Sequence, residues 1–238
     1  MLNQKSHLTL AVVLVAATLL IAGSVAIASN TGFKINKPLY LTVGGAPLKG
    51  NNWSSLPYFH PYPNGQALCQ QLGLRSNPPN TNATSATLLK INPVDGSAPL
   101  AICGTAAASF TWSAGQGVRI RNTAGTGAPT SAIIVGSHNP AVSLTIPPAG
   151  IANIGSFWFA VPYHTTAVNG QDLCNAVGLV STGALATRGA LLRANADLGS
   201  STPGICGSSA APIILTLGEA IRLRQPGAGV PSFVPAHF

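Results

Sequence analysis

Apolar residues in this chain fall into short runs of alternating or continuous pattern, broken by glycine, proline and asparagine. In V-R-I-R (118–121) and I-R-L-R (221–224) the alternation puts Val118, Ile120, Ile221 and Leu223 on one face of a strand, and Arg119, Arg121, Arg222 and Arg224 on the other. T-L-L-K-I (87–91), A-L-L-R-A (190–194), the W-x-x-x-P-Y segments and the stretches after each I-C-G read as further strands between turns. A helical period occurs only twice. Leu68 and Leu72, and Leu173 and Val177, are four residues apart, with Asn64 and Asn169 placed as N-caps and Gly73 and Gly178 placed just past the C-termini. Two turns of helix are too short to be stable alone.

The pattern is duplicated. W-S-S-L-P-Y-F-H-P-Y-P-N-G-Q-A-L-C-Q-Q-L-G-L (53–74) aligns with residues 158–179 at an offset of 105, with ten identities in 22 positions. The blocks at 87–97, 102–104 and 115–121 recur in the same order at 190–200, 205–207 and 218–224. Near the start, N-K-P-L-Y-L-T-V (36–43) is echoed by N-P-A-V-S-L-T-I (139–146). Such internal repetition decides the architecture. The fold expected is mainly β: two tandem β-sandwich or barrel-like repeats over residues 29–138 and 139–238, each with one short helix. Four cysteines allow three pairings. The duplication selects Cys69–Cys103 and Cys174–Cys206, because each repeat then anchors its own helix by a bridge of equivalent span.

Composition narrows the compartment. A basic residue at Lys5, an uncharged run from Leu8 to Ile21 and the small-x-small pattern Ala26-Ile27-Ala28 predict a cleaved signal peptide over 1–28, with a retained anchor as the competing reading. Export and disulfides agree, since both belong to an oxidising, extracellular setting. The chain as a whole is turn-rich, with 26 Gly and 19 Pro, only four acidic residues and a net charge of +8.

No motif for chemistry competes with the repeat. Asp95, Asp172, Asp197 and Glu219 are too few and too dispersed between the copies for general acid–base catalysis, and no nucleophile elbow or phosphate-binding glycine loop occurs. The expectation is therefore no enzyme, no cofactor and no metal; the cysteines lack C-x-x-C spacing. His60 and His164 stand at non-equivalent positions and read as loop residues, whereas His138 and His237 correspond and end strands. Trp53, Tyr58, Phe59 and Tyr62, with Phe157, Trp158, Phe159 and Tyr163, form either a core or a sugar-stacking platform, and their recurrence favours the core. Lys90, Arg193 and the four strand arginines make a basic face that reads first as solvated, and with few acids to neutralise it the alternative is a partner such as acidic polysaccharide or extracellular DNA. Asn52 and Asn82 each open a glycosylation sequon.

Two functions follow from the placing of the echoed phrase. If it closes the repeat before it, repeat 2 lacks a strand. Another molecule's Pro38, Leu39, Tyr40, Leu41, Thr42 and Val43 can then pair beside Ser232, Phe233, Val234, Pro235, Ala236 and His237. Donor-strand addition of that kind joins subunits head to tail into a homopolymer, an extracellular filament or surface layer, and it places 139–146 beside 132–138 within the chain. This reading is preferred on sequence. If instead the phrase opens each repeat, the chain is a secreted two-domain binding module for glycan or another anionic polymer.

Overall fold

The computed structural model describes residues 32–42, 50–74, 76, 85–123, 130–137, 142–150, 155–162, 165–227 and 229–235. The expected leader, Val43, Asn82, His138, Tyr163, His164, Ala236 and His237 lie outside the described residues.

Each repeat builds the same four-stranded antiparallel sheet. In repeat 1 it consists of β2 (Asn51–Ser55), β3 (Thr87–Leu89), β4 (Leu100–Ile102) and β5 (Gly117–Arg121), in the order β2-β5-β3-β4. In repeat 2, β8 (Ser156–Ala160), β9 (Ala190–Asn195), β10 (Ser200–Ile205) and β11 (Ala220–Arg224) take the order β8-β11-β9-β10. A two-stranded sheet accompanies each. β1 (Phe33–Pro38) pairs with β6 (Ser131–Gly136), and β7 (Leu144–Ile146) pairs with β12 (Val230–Phe233). The architecture is mainly β, with two similar sandwich-like repeats and two short helices, as the repeated strand pattern predicts.

The alternation of the central strands sorts their side chains. Val118, Ile120, Ile221 and Leu223 are buried, and the arginines between them are half-buried. One apolar cluster belongs to repeat 1, around Leu68, Leu88, Ile120 and Ile134. The other belongs to repeat 2, around Leu173, Leu191, Ile221 and Ile146, and it takes in Tyr58 from repeat 1.

The shared N-G-Q…L-C and I-C-G phrases become one device, built twice. Asn64 caps α1 (Gly65–Gln71) by accepting from the Ala67 N–H, and Asn169 caps α2 (Gly170–Val177) by accepting from Gln171 and Asp172. Gly65 and Gly170 let the helix start press onto the sheet and onto the segment after I-C-G: a Cβ at Gly65 would lie 2.9 Å from both Leu88 Cδ1 and Ala107 O, and one at Gly170 would lie 2.8 Å from Leu191 Cδ1 and 2.6 Å from Ala210 O. Gln66 Oε1 accepts from Gly104 N at 2.9 Å, and Gln171 Oε1 accepts from Gly207 N at 2.6 Å, so the glutamine holds the I-C-G turn. Both predicted bridges are present. Cys69–Cys103 and Cys174–Cys206 each tie a helix to the turn that follows a strand, with Cα separations of 5.9 and 5.8 Å. Gly73 and Gly178 end the helices with positive φ, and the Leu74 and Leu179 N–H groups return to Cys69 O and Cys174 O.

The register of the echoed phrase corrects one sequence expectation. The sequence reading puts residues 139–146 beside 132–138, whereas Leu144–Ile146 pairs with Val230–Phe233 of its own repeat. The reason is burial. In that place Val142, Leu144 and Ile146 all enter the second core, against Phe157, Phe159 and Val230.

Replacing Cys69 and Cys103 together by alanine should cost repeat 1 about 3–4 kcal/mol in the chain-entropy picture. Urea unfolding of that variant against the native protein checks this, with α1 losing hydrogen-exchange protection before β5 does. Equal protection of helix and sheet would contradict the anchoring role.

Candidate functional site

The two repeats meet on the arginine-bearing faces of their sheets, and they meet symmetrically. Gly50 N donates to Ala196 O at 3.0 Å, and at the equivalent positions Gly155 N donates to Pro93 O at 2.8 Å. Ser55 N donates to Gly218 O, and Ala160 N donates to Gly115 O, again as an equivalent pair. The isolated bridges Ser54–Glu219 and Phe159–Gln116 repeat the pattern. On the axis each residue meets its own copy. The rings of Trp53 and Trp158 stack with centroids 4.9 Å apart, and a Cβ on Gly117 would lie 2.4 Å from the Cβ of its counterpart Ala220. That is an isologous contact, the kind made by a closed dimer, here between two halves of one chain.

The basic residues are drawn into this junction and its surroundings. Arg119 lies opposite Trp53 in the β2–β5 ladder, and Arg222 lies opposite Trp158 in the β8–β11 ladder. Burial lowers both guanidinium pKa values, with Arg121 and Arg224 adding a smaller effect of the same sign. Arg222 Nη2 donates to Ser156 Oγ and Arg224 Nη2 donates to Gly150 O, each at 2.7 Å. Lys90 donates to Thr111 O beneath the Phe110 ring, and burial lowers its pKa. Arg193 Nε pairs with Glu219 Oε2 at 2.8 Å. The residues expected to form one solvated basic face are thus mostly engaged with carbonyl, hydroxyl and carboxylate oxygens.

The residues expected as donated and accepting strands are seated within the chain, and only part of each set is strand: β1 ends at Pro38, before Leu39, Tyr40, Leu41 and Thr42, and β12 ends at Phe233, before Val234 and Pro235. The Leu39 side chain is buried in the first core, and its N–H donates to Thr130 O at 2.8 Å. The Asn52 side chain brackets the next residue, accepting from Tyr40 N at 2.9 Å and donating to Tyr40 O at 3.1 Å. Thr42 N donates to Asn122 O, Leu41 is half-buried and Pro38 is exposed. At the far end, Ser232 Oγ lies 2.6 Å from Ser143 Oγ and Phe233 packs on Phe159, with Val234 exposed and Pro235 buried.

Beside the junction, between β1 and the β9–β10 hairpin, lies a cleft of about 400 Å³. Asn36, Lys37, Tyr40, Trp53, Arg193 and Glu219 are among the residues lining it. Glu219 is buried, with Oε1 accepting from Thr216 N and Oε2 from Arg193 Nε. Arg193 Nη2 also donates to Thr216 Oγ1 at 2.8 Å. Lys37 Nζ reaches across from β1 to donate to Gly218 O of repeat 2 at 2.8 Å. Burial lowers the Lys37 pKa to about 8; the charge of Glu219 resists that shift and that of Arg193 adds to it.

In the sequence Arg193 reads as part of the basic face and Tyr40 as part of the donated strand, and Lys37 has no role. A signal was present in the comparison of copies: Gln116 becomes Glu219 where Lys90 becomes Arg193, a paired change that converts an amide contact into an ion pair. The histidine at position 60 also has more structure than a loop residue needs. It accepts from Trp112 Nε1 at 2.5 Å, stacks on Tyr62, and has its pKa lowered by burial. Among the described residues no group of three or more histidine, cysteine or acidic side chains is placed to hold a metal, and no helix is long and apolar enough to cross a membrane. Comparison with protein-family models, with curated proteins and with solved structures gave no match to this chain.

Lys37 gives the junction a pH signature. The unfolded chain keeps this proton up to about 10.5, whereas the folded chain releases it near 8, so stability rises with pH between those values. Above pH ~10 the burial-raised Tyr58 opposes the trend, because only the unfolded chain then ionises that phenol. Thermal melts from pH 7 to pH 10 should rise for the native protein, with the slope reduced in Lys37→Met. An unchanged slope in the variant would refute the assignment.

Truncating the axial pair tests the junction itself. Trp158→Ala should cost about 3–5 kcal/mol, the usual loss for a buried aromatic, and Trp53→Ala less, because Trp53 is only half-buried. Denaturant unfolding checks the order; the reverse order would mean that the stack does not hold the repeats together.

Proposed function

We propose that the chain is a secreted, self-contained binding module for an acidic glycan, built from two repeats closed on each other. One observation carries this reading: the repeats meet about a local two-fold, each axial residue against its own counterpart. An isologous junction uses the same patch on both partners and is complete with two. A head-to-tail filament continuing the internal repeat needs a heterologous junction, so the strand-donating reading drawn from sequence has no such contact to extend. The seating of β1 and β7 in their own repeats supports the same choice. The disulfides fit an oxidising extracellular setting, which supports secretion.

The ligand class follows from charge and shape. A net charge of +8 with four acidic residues attracts a polyanion, and the cleft offers aromatic rings beside charged and amide groups.

Light scattering on the purified chain from Ser29 onward should give a monodisperse monomer. Deleting residues 29–43 should destabilise repeat 1 by about 2–5 kcal/mol through loss of the buried Leu39, without changing the oligomeric state. Filaments in negative stain that disappear on that deletion would overturn this reading and restore the filament.

A further inference from the structure

We propose that the cleft between β1 and the β9–β10 hairpin is a carbohydrate subsite that takes a uronic-acid ring of an acidic polysaccharide. The inference rests on the binding-module reading and gives it a location. At about 400 Å³ the cleft lies within the size range of small-ligand sites, about 300–1,000 Å³. Its aromatic lining is prearranged. Trp53 is fixed by stacking on Trp158, which is 3% exposed, and Tyr40 is held through its backbone by both ends of the Asn52 amide yet keeps 36% of its surface open. A fixed indole and an open phenol bordering a polar cleft suit the C–H face of a pyranose, whose hydroxyls need donors and acceptors around the edge.

The guanidinium of Arg193 is held in the same way. Its Nε is bound by Glu219 and its Nη2 by Thr216, which sets the plane of the fork and leaves Nη1 for a carboxylate. Glu219 has both oxygens engaged, so it orients Arg193 instead of confronting the ligand. Lys37 adds a second cation among the lining residues. Asp197 is the lining acid outside the Arg193–Glu219 pair, and it is exposed.

Duplication supplies an internal control. The counterparts of Arg193, Asp197, Glu219 and Trp53 are Lys90, Val94, Gln116 and the buried Trp158. The other end of the junction therefore has neither the ion pair nor a half-open indole. One of two equivalent places thus has an ion-paired lining with a half-open indole that the other lacks on the same scaffold, as expected of a binding site built on one copy of a shared fold.

The test is calorimetric titration of the whole chain with hexasaccharides of galacturonate, of alginate and of heparin, with cellohexaose as the neutral probe and a short mixed-sequence DNA duplex as the competing polyanion. At least one acidic hexasaccharide should bind, about tenfold more tightly than cellohexaose. Tyr40→Ala should weaken that binding about tenfold, the scale of an interface anchor. Asp197→Asn should strengthen it about threefold by removing a like charge at the rim, a gain that damage to the fold cannot imitate. If an acidic hexasaccharide binds but neither substitution changes its affinity, the cleft is the wrong place and the binding-module reading stands. If none of the three binds, both fail. Tighter binding of the DNA duplex than of any hexasaccharide would overturn the carbohydrate class.

Discussion

A helix of seven or eight residues makes too few backbone hydrogen bonds to persist in water, yet in each repeat such a helix covers the buried face of a four-stranded sheet. The disulfide between that helix and the I-C-G turn resolves the conflict, and much of each repeat is arranged around it. Asn64 and Asn169 satisfy the first helical donors, Gly65 and Gly170 let the helix approach the sheet, and Gln66 and Gln171 hold the turn that carries the second cysteine. Without the bridge, those contacts would have to overcome the entropy of ordering a helix that has little stability of its own. The strongest identities between the copies fall on these residues because each has a fixed geometric task.

What was legible in the sequence was what depends on neighbours along the chain. Helix caps, cysteine pairing and the alternation within β5 and β11 are local or are selected by the duplication, and the structure has them where the pattern placed them. The strands expected after each I-C-G instead lead into it, as Leu100–Ile102 and Ser200–Ile205, and the first I-C-G is followed by a short 3-10 helix, Ala106–Ser109. Strand register was not legible to the same degree. Leu144 and Ile146 would present the same apolar face to either neighbouring strand, so the choice of Val230–Phe233 is made by three-dimensional burial beside Phe157 and Phe159.

The junction was hidden for a different reason. In R-x-R strands the arginine face reads as solvent-facing, and nothing in a period of two says that a second sheet covers it. Trp53 and Trp158 recur at equivalent positions, which is equally consistent with two separate cores. Their stacking on each other depends on the local two-fold, a relation between copies that no single copy encodes. Tyr58 is a further instance. It belongs to repeat 1 by sequence, but it packs in the core of repeat 2 and donates to Ala160 O at 3.1 Å.

A local two-fold imposes near-identical demands on both halves, so departures from symmetry are informative. On the axis the constraint is steric: only small residues fit where Gly117 faces Ala220. Away from it the constraint relaxes, and Gln116 and Glu219 fill equivalent places with different chemistry. Both accept from the N–H three residues before them, Ser113 and Thr216, so the turn is kept. The remaining polar atom is then free to differ. In repeat 1 the Gln116 amide donates to Ile91 O, just past β3, which closes the contact within the repeat. In repeat 2 the Glu219 carboxylate cannot donate, and it recruits Arg193 instead. A buried carboxylate without that cation would be strongly destabilising. The substitution from amide to acid thus fixes a guanidinium beside a cleft at one end of the molecule while leaving the fold at the other end as it was.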